Sequence, residues 1–180
     1  MTTADARFVA IYESHYRDVY GYCRRRTAVD RVDDAVAEVF LVAWRRIDEV
    51  PENDEALPWL YAVAYRVLGH QWRSASRQRR LKTKLEGLGA DVAAVPEEYV
   101  VLGQESSQVL AALSRLKRSD QELLRLTVWE ELQHKEIALV LGVSVDAVKK
   151  RASRAVKTLA REFERVSKQR LTPAAQEGGT

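Results

Sequence analysis

EIALVLGVSVDAVKKRASRAVKTLAR, residues 136–161, reads as two helices joined by a tight turn. Ile137, Ala138 and Leu141 give the first helix an apolar stripe at helical spacing. Gly142 can end that helix, because glycine enters the left-handed region without a Cβ clash. Ser144 is placed to cap the next helix through its hydroxyl. Val145, Val148, Ala152, Val156 and Leu159 then share one face at about 100° per residue. Asp146, Lys150, Arg154, Lys157 and Arg161 share the opposite one. Two such helices around a glycine turn are the sequence sign of a helix-turn-helix, which lays its second helix in the DNA major groove. The local pattern also admits a plain helical hairpin with a solvated basic face, so the rest of the chain decides.

Composition narrows the choice. The 180 residues have room for one ordinary domain or two small ones, and long stretches rich in Ala, Leu, Val, Arg and Glu point to an all-α protein. No alternating strand run with hairpin turns occurs. The net charge of +3 is modest but unevenly placed. Residues 30–55 and 86–105 are acidic, whereas 66–84 and 149–170 are basic. Two basic patches divided by an acidic connector suit two contacts with a polyanion. Cys23 is the single cysteine, which excludes an intramolecular disulfide and fits a reducing, cytoplasmic compartment. No signal peptide and no apolar run near 18 residues is present, so membrane insertion is not expected. His15, His70 and His134 lack partners at metal-ligand spacing, and no Gly-rich phosphate loop, paired-carboxylate motif or Ser–His or Cys–His signature occurs. No metal, cofactor or catalytic residue is therefore expected.

Read in order, the chain opens with a helix over about 5–26 whose core stripe is Phe8, Ile11, Tyr12, Tyr16, Val19, Tyr20 and Cys23. A second helix over about 32–49 turns Val32, Val36, Val39, Phe40, Ala43, Trp44 and Ile47 inward. Its other face carries Asp34, Ala37, Glu38, Leu41 and Arg45. A leucine ringed by charges fits a protein-binding face, although single exposed leucines are also common. A loop follows, with Asn53-Asp54 suited to a turn. Pro58 fits the first position of a third helix reaching about Lys82. Trp59, Leu60, Val63, Ala64 and Val67 line one side of it, and Ala62, Arg66, Gly69, His70, Arg73 and Arg77 another. The small Ala62 and Gly69 would let a backbone approach while the arginines meet phosphates. Tyr61, Tyr65 and Trp72 form a side strip that either stacks on unpaired bases or packs on neighbouring helices.

Periodicity fades over 85–105, where glycines, a proline and acids mark a linker. About 20 extended residues reach roughly 65–70 Å. About 17 base pairs span roughly 55–60 Å, so such a linker can hold two domains on separate sites of one duplex. The expected divisions are a first domain over 1–84, the linker over 85–105, a second domain over 106–170 and a tail over 171–180. In the second domain Val109, Leu110, Leu113 and Leu116 give one helix, and Leu123, Leu124, Leu126, Val128 and Trp129 the next, capped by Ser119 or Asp120.

These segments resemble the extracytoplasmic-function sigma factors of bacterial RNA polymerase, within the sigma-70 family. DDAVAEVFLVAWRRID (33–48) is similar to sigma region 2.2, and PWLYAVAYRVLGHQWRSASRQRR (58–80) to regions 2.3 and 2.4. ALSRLKRSDQELLRLTVWEELQHKEIALVLGVSVDAVKKRASRA (112–155) is similar to region 4. With no insertion for region 3, the resemblance is to the minimal type. It implies that Asp34, Glu38, Leu41 and Arg45 dock on the clamp helices of the polymerase β′ subunit. The loop with Asn53 and Asp54, together with Arg66, His70, Arg73 and Arg77, would hold the melted −10 element. The second domain would meet the β flap and read the −35 element. There Ser144 starts the recognition helix, Asp146, Lys150 and Arg154 face base edges, and Lys149, Arg151 and Lys157 face phosphates. Most members of the family are also held by an anti-sigma factor. The chain departs from the family pattern at Ala37, where glutamine is frequent, and at Arg66 and His70, where asparagine and aspartate are. The resulting expectation is a promoter-specificity subunit rather than an enzyme. A stand-alone helix-turn-helix regulator and a helical adaptor for acidic proteins are the rival readings.

Overall fold

Helical propensity and apolar spacing dictate seven α-helices among the described residues, which in this computed structural model are 3–86 and 104–171. They are α1 (Thr3–Arg24), α2 (Val32–Arg45), α3 (Ala56–Glu86), α4 (Gln104–Ser114), α5 (Arg118–Val128), α6 (His134–Leu141) and α7 (Val145–Leu171). The expected tail from 172 and most of the expected linker lie outside the described residues. Both ends of that linker are helical, since α3 runs on to Glu86 and α4 starts at Gln104. The described helices form two compact units, one holding α1–α3 with Lys135–Val143, the other α4, α5 and α7 with Ser144.

In the first unit α1, α2 and α3 pack on one another in every pairing. Val19, Tyr22, Cys23, Val32, Ala35, Val39, Ala43, Leu60, Ala64 and Leu68 make its buried centre. Tyr22 of α1 stacks on Tyr61 of α3 with ring centroids 4.9 Å apart. Arg26 closes α1 by donating from Nη1 to the Tyr22 carbonyl at 3.1 Å, with its guanidinium 3.6 Å from the Tyr22 ring. A cation there satisfies a carbonyl that the helix end leaves over and opposes the negative end of its dipole. Arg7 donates to the Val50 carbonyl and so fastens α1 to the loop after α2.

Several expected boundaries and faces move. The second helix stops at Arg45, and Ile47–Glu49 tightens into a 3-10 turn. Pro58 is the third residue of α3 rather than its first. The first four N–H groups of a helix have no intrahelical partner, so proline is tolerated there too. Tyr12 and Trp44, expected inside, are exposed, while Tyr22, Ala35 and Leu68 are fully buried.

In the second unit α7 packs along α4 and α5. Ala112, Leu113, Leu116, Leu123, Leu124, Leu126, Val148, Ala155 and Val166 are buried. Neither Ser119 nor Asp120 caps α5. Lys117 holds the cap position without a side-chain bond, because the helix starts one residue before Ser119. Gln121 instead donates to the Leu116 carbonyl at 2.9 Å and fixes the α4–α5 turn.

Burial pushes the Cys23 thiol up from about 9 to about 12. Between those values the unfolded chain loses the proton and the folded chain keeps it. The folded state then binds more protons, so stability falls as pH rises through that window and is unaffected below it. We expect the urea midpoint of the wild type to fall more steeply above pH 9 than that of Cys23→Ala, by up to about 1.4 kcal/mol per pH unit. Parallel curves would contradict the assignment.

Candidate nucleic-acid interface

Local signals build the helix-turn-helix as the sequence requires. Gly142 takes φ 66° and nothing lies within 4 Å of where its Cβ would be. Its N–H donates to the Leu139 carbonyl at 3.3 Å and that of Val143 to Ala138 at 3.1 Å, which ends α6. Ser144 caps α7: its Oγ accepts from the Ala147 N–H at 3.2 Å and its carbonyl from the Val148 N–H at 3.0 Å. In α6, Ile137, Ala138 and Val140 are buried and Leu141 is half-buried.

Along α7 the buried line runs through Val148, Ala155 and Val166, flanked by half-buried Ala152 and Leu159. Val156, expected on that face, is 55% exposed, and Val145 is also exposed. At about 100° per residue Val156 lies some 80° from the Val148 line, beyond the contact strip. The opposite face brings Asp146, Lys150, Arg154 and Lys157 together, all exposed, with Lys149 on one flank. Arg151, on the other flank, behaves differently. It is half-buried, and its Nε donates to Asp120 Oδ1 of α5 at 2.8 Å. Farther along, Arg115, in the turn after α4, lies 3.6 Å from the Glu162 carboxylate and donates to Gln169 at 2.9 Å.

In the first unit the exposed side of α2 carries Asp34, Ala37, Glu38, Leu41 and Arg45, with Leu41 45% exposed at its centre. Beside it lies an aromatic ladder in which Phe40 is buried as expected, Phe8 and Tyr16 are half-buried, and Tyr12 and Trp44, expected inside, are exposed. Trp44 sits 5.1 Å from Phe8, and Phe40 sits 4.7 Å from Tyr12 and 6.3 Å from Tyr16. The Tyr16 phenol is pushed above its usual range, chiefly by burial and further by Tyr12 and Asp33. The available signal was an excess of aromatics over what one helical seam can enclose: tyrosine and tryptophan keep a wet edge that phenylalanine lacks.

On α3, Arg66, His70 and Arg73 are exposed along one line, with half-buried Gly69 between them. Asp54 is exposed beside the helix start, and the side chains of Asn53 and Arg77 lie outside the described set. Ala62, expected on the phosphate-facing side, and Tyr61, for which base stacking and packing on a neighbouring helix were both open, are each only 4% exposed. The stacking of Tyr61 on Tyr22 removes it from any base-stacking role, because α1 covers that side of α3. Tyr65 and Trp72 are half-buried. Among the described residues no cluster of His, Cys, Asp and Glu could hold a metal ion. Nor is any helix there long and apolar enough to cross a membrane.

Two helical units, one with a capped basic helix after a glycine turn and one with a basic line facing away from the core, define a nucleic-acid-binding protein of the helix-turn-helix class. The family described as Sigma-70 region 2 matches residues 11–78, and Sigma-70, region 4 matches residues 106–159. The RNA polymerase sigma factor NccH of Alcaligenes xylosoxydans xylosoxydans is 30% identical over 132 residues, 69% of this chain and 68% of NccH. The probable RNA polymerase sigma factor RfaY of Xanthomonas campestris pv. campestris is 32% identical over 135 residues. That match takes in 73% of this chain but spans only 34% of RfaY. The fold is shared with sigma factor RpoE of Bartonella quintana, solved with the anti-sigma factor NepR. The two superpose with a TM-score of 0.61 at 20% identity, over 87% of this chain and 96% of that one. The chain belongs to the sigma-70 family and is of its extracytoplasmic-function type.

Gly69 occupies a helix interior without positive φ, and a Cβ there would meet only Arg73 Nη1 at 3.6 Å, an ordinary contact. The fold itself therefore gives no reason for glycine. Gly69→Ala is expected to raise stability by about 0.5–1 kcal/mol, read from urea denaturation. A loss of stability would show that the backbone at 69 is constrained from within.

Proposed function

We propose that the chain is the promoter-specificity subunit of an RNA polymerase holoenzyme, not an enzyme itself. The observation that carries this is Leu41, exposed at the centre of the Asp34–Glu38–Arg45 face of α2, in a chain that also carries the capped basic helix α7. A regulator that only gripped duplex DNA would need α7 and not the leucine-centred face. On this reading Asp34, Glu38, Leu41 and Arg45 dock on the β′ clamp helices of core polymerase. Segment 106–170 lies near the β flap and segment 1–84 serves as the −10 domain. Work of this kind belongs in the cytoplasm, at the nucleoid. An anti-sigma partner is part of the proposal, since the related RpoE is seen with one.

Promoter recognition then divides between two surfaces. Lys150 and Arg154, with Asp146 near the helix start that Ser144 caps, meet base edges of the −35 duplex. Lys149 and Lys157 meet its phosphates. Arg66, His70, Arg73 and Arg77, with the Asn53–Asp54 turn, hold the displaced strand at −10. Gly69 lets that strand approach the α3 backbone. Single-strand capture converts binding energy into duplex opening, because a base held outside the stack no longer pairs. Tyr65, half-buried at the edge of this surface, is placed to stack on a base there.

Leu41→Glu places a charge at the centre of the docking face without touching the core. Core polymerase pull-down is expected to fall at least tenfold, with the denaturation midpoint unchanged. Unchanged capture would remove α2 from the polymerase interface. For α7, Arg154→Ala is expected to cost discrimination between a cognate and a scrambled duplex. Lys149→Ala should weaken both alike and reduce the salt slope by about one charge. Equal behaviour of the two variants in a salt-series titration would contradict the division.

A further inference from the structure

Arg151 lies in the middle of the basic run Lys149–Lys150–Arg151 at the start of α7, yet it is the member whose side chain is already engaged. Its Nε donates to Asp120 Oδ1 at 2.8 Å, with the two side chains 33% and 23% exposed. Asp120 is the third residue of α5, in a first turn where the helix dipole favours a carboxylate. The neighbouring Gln121 donates to the Leu116 carbonyl at 2.9 Å and, more weakly, to that of Ser114 at 3.3 Å. Its Oε1 accepts from Arg125 at 3.4 Å. The α5 start to which Arg151 is tied is thus itself fixed to the turn after α4. At the far end of α7, Arg115 holds Glu162 and Gln169. Helix α7 is fastened to the α4–α5 pair at Arg151 and again at Glu162 and Gln169, with Ala155 buried between the two fastenings and Val148 buried just before the first.

The angular position explains why this matters. At about 100° per residue Arg151 lies roughly 60° from Arg154 and an equal angle from the buried Val148 line. It sits on the border between packing and the base-facing side. Apolar packing resists translation of a helix but constrains its roll weakly when the contact residues are small, as Ala152 and Ala155 are. A charge-assisted hydrogen bond at that border supplies the direction which the packing leaves soft.

We infer that Arg151 is a positioning residue and not a phosphate contact, and that Asp120 of α5 sets −35 discrimination by fixing the roll of α7 through it. This rests on the reading of α7 as the DNA-reading helix. A roll error of some tens of degrees would carry Lys150 and Arg154 off the base edges while leaving the cationic face toward the duplex. Discrimination falls and general affinity stays.

The test uses the full chain with core polymerase and two duplex probes. One is selected by that complex from a random library and the other is its scrambled counterpart. Affinities are measured over a salt series for the wild type, Asp120→Ala, Arg151→Lys and the double variant. Each single variant is expected to lower the selected-to-scrambled ratio about three- to fivefold with the salt slope unchanged. The double variant should be no worse than either single, because the two residues act through one bond. The inference is overturned if Asp120→Ala leaves the ratio intact, or if the two losses add. It is also overturned if Arg151→Ala, run as a fifth arm, weakens both probes alike and lowers the salt slope by about one while Arg151→Lys retains the ratio. Partial unfolding would reduce binding to both probes and leave the ratio unchanged, which likewise overturns it. A wild type that does not discriminate between the probes removes the DNA-reading assignment of α7 and this inference with it.

Discussion

The burial of one narrow line of α7 against α4 and α5 is the constraint on which the rest depends. Val148, Ala155 and Val166 occupy that line, and each is less than a tenth exposed. A helix that commits these positions to packing has no freedom in what it shows on the other side. Asp146, Lys150, Arg154 and Lys157 are outward because those apolar residues are inward. The same geometry holds in the first unit: burying Val36, Val39, Phe40 and Ala43 leaves Asp34, Glu38, Leu41 and Arg45 on the far side of α2. Both proposed interfaces are the complement of a core.

Elements governed by local chemistry were legible in the sequence. The turn at Gly142 and the cap at Ser144 depend on residues within four positions of each other, and both form as expected. The exposed face of α2 was legible for the same reason, since helical period alone separates it from its core. Legibility ended at the borders of each stripe. Val156, Trp44 and Tyr12 lie at angles where a partner helix either covers the side chain or does not, and periodicity carries no information about the partner. Tyr61 shows this most sharply: its sequence suited base stacking and helix packing alike, and Tyr22, distant in sequence, decides for packing. The Asp120–Arg151 bond spans 31 residues and had no sequence signal beyond two opposite charges.

The departures from the family pattern gain meaning in this setting. Arg66 and His70 are exposed on the same line of α3 as Arg73, so the substitutions change the chemistry of a surface and not of a core. On the proposed reading, an arginine and a histidine where the family often has an amide and an acid would shift the −10 surface toward phosphate contact. Ala37 stands between Asp34 and Leu41 on α2, so the proposed docking face is a leucine among charges. Membership of the sigma-70 family fixes the architecture, while on the proposed reading these positions set what this member contacts.

Run-off transcription on sheared genomic DNA, with core polymerase alone and with core polymerase plus this chain, tests the central claim most directly. The account predicts starts that require the chain and share two sequence elements at constant separation upstream. A start profile identical to that of core polymerase alone would contradict it.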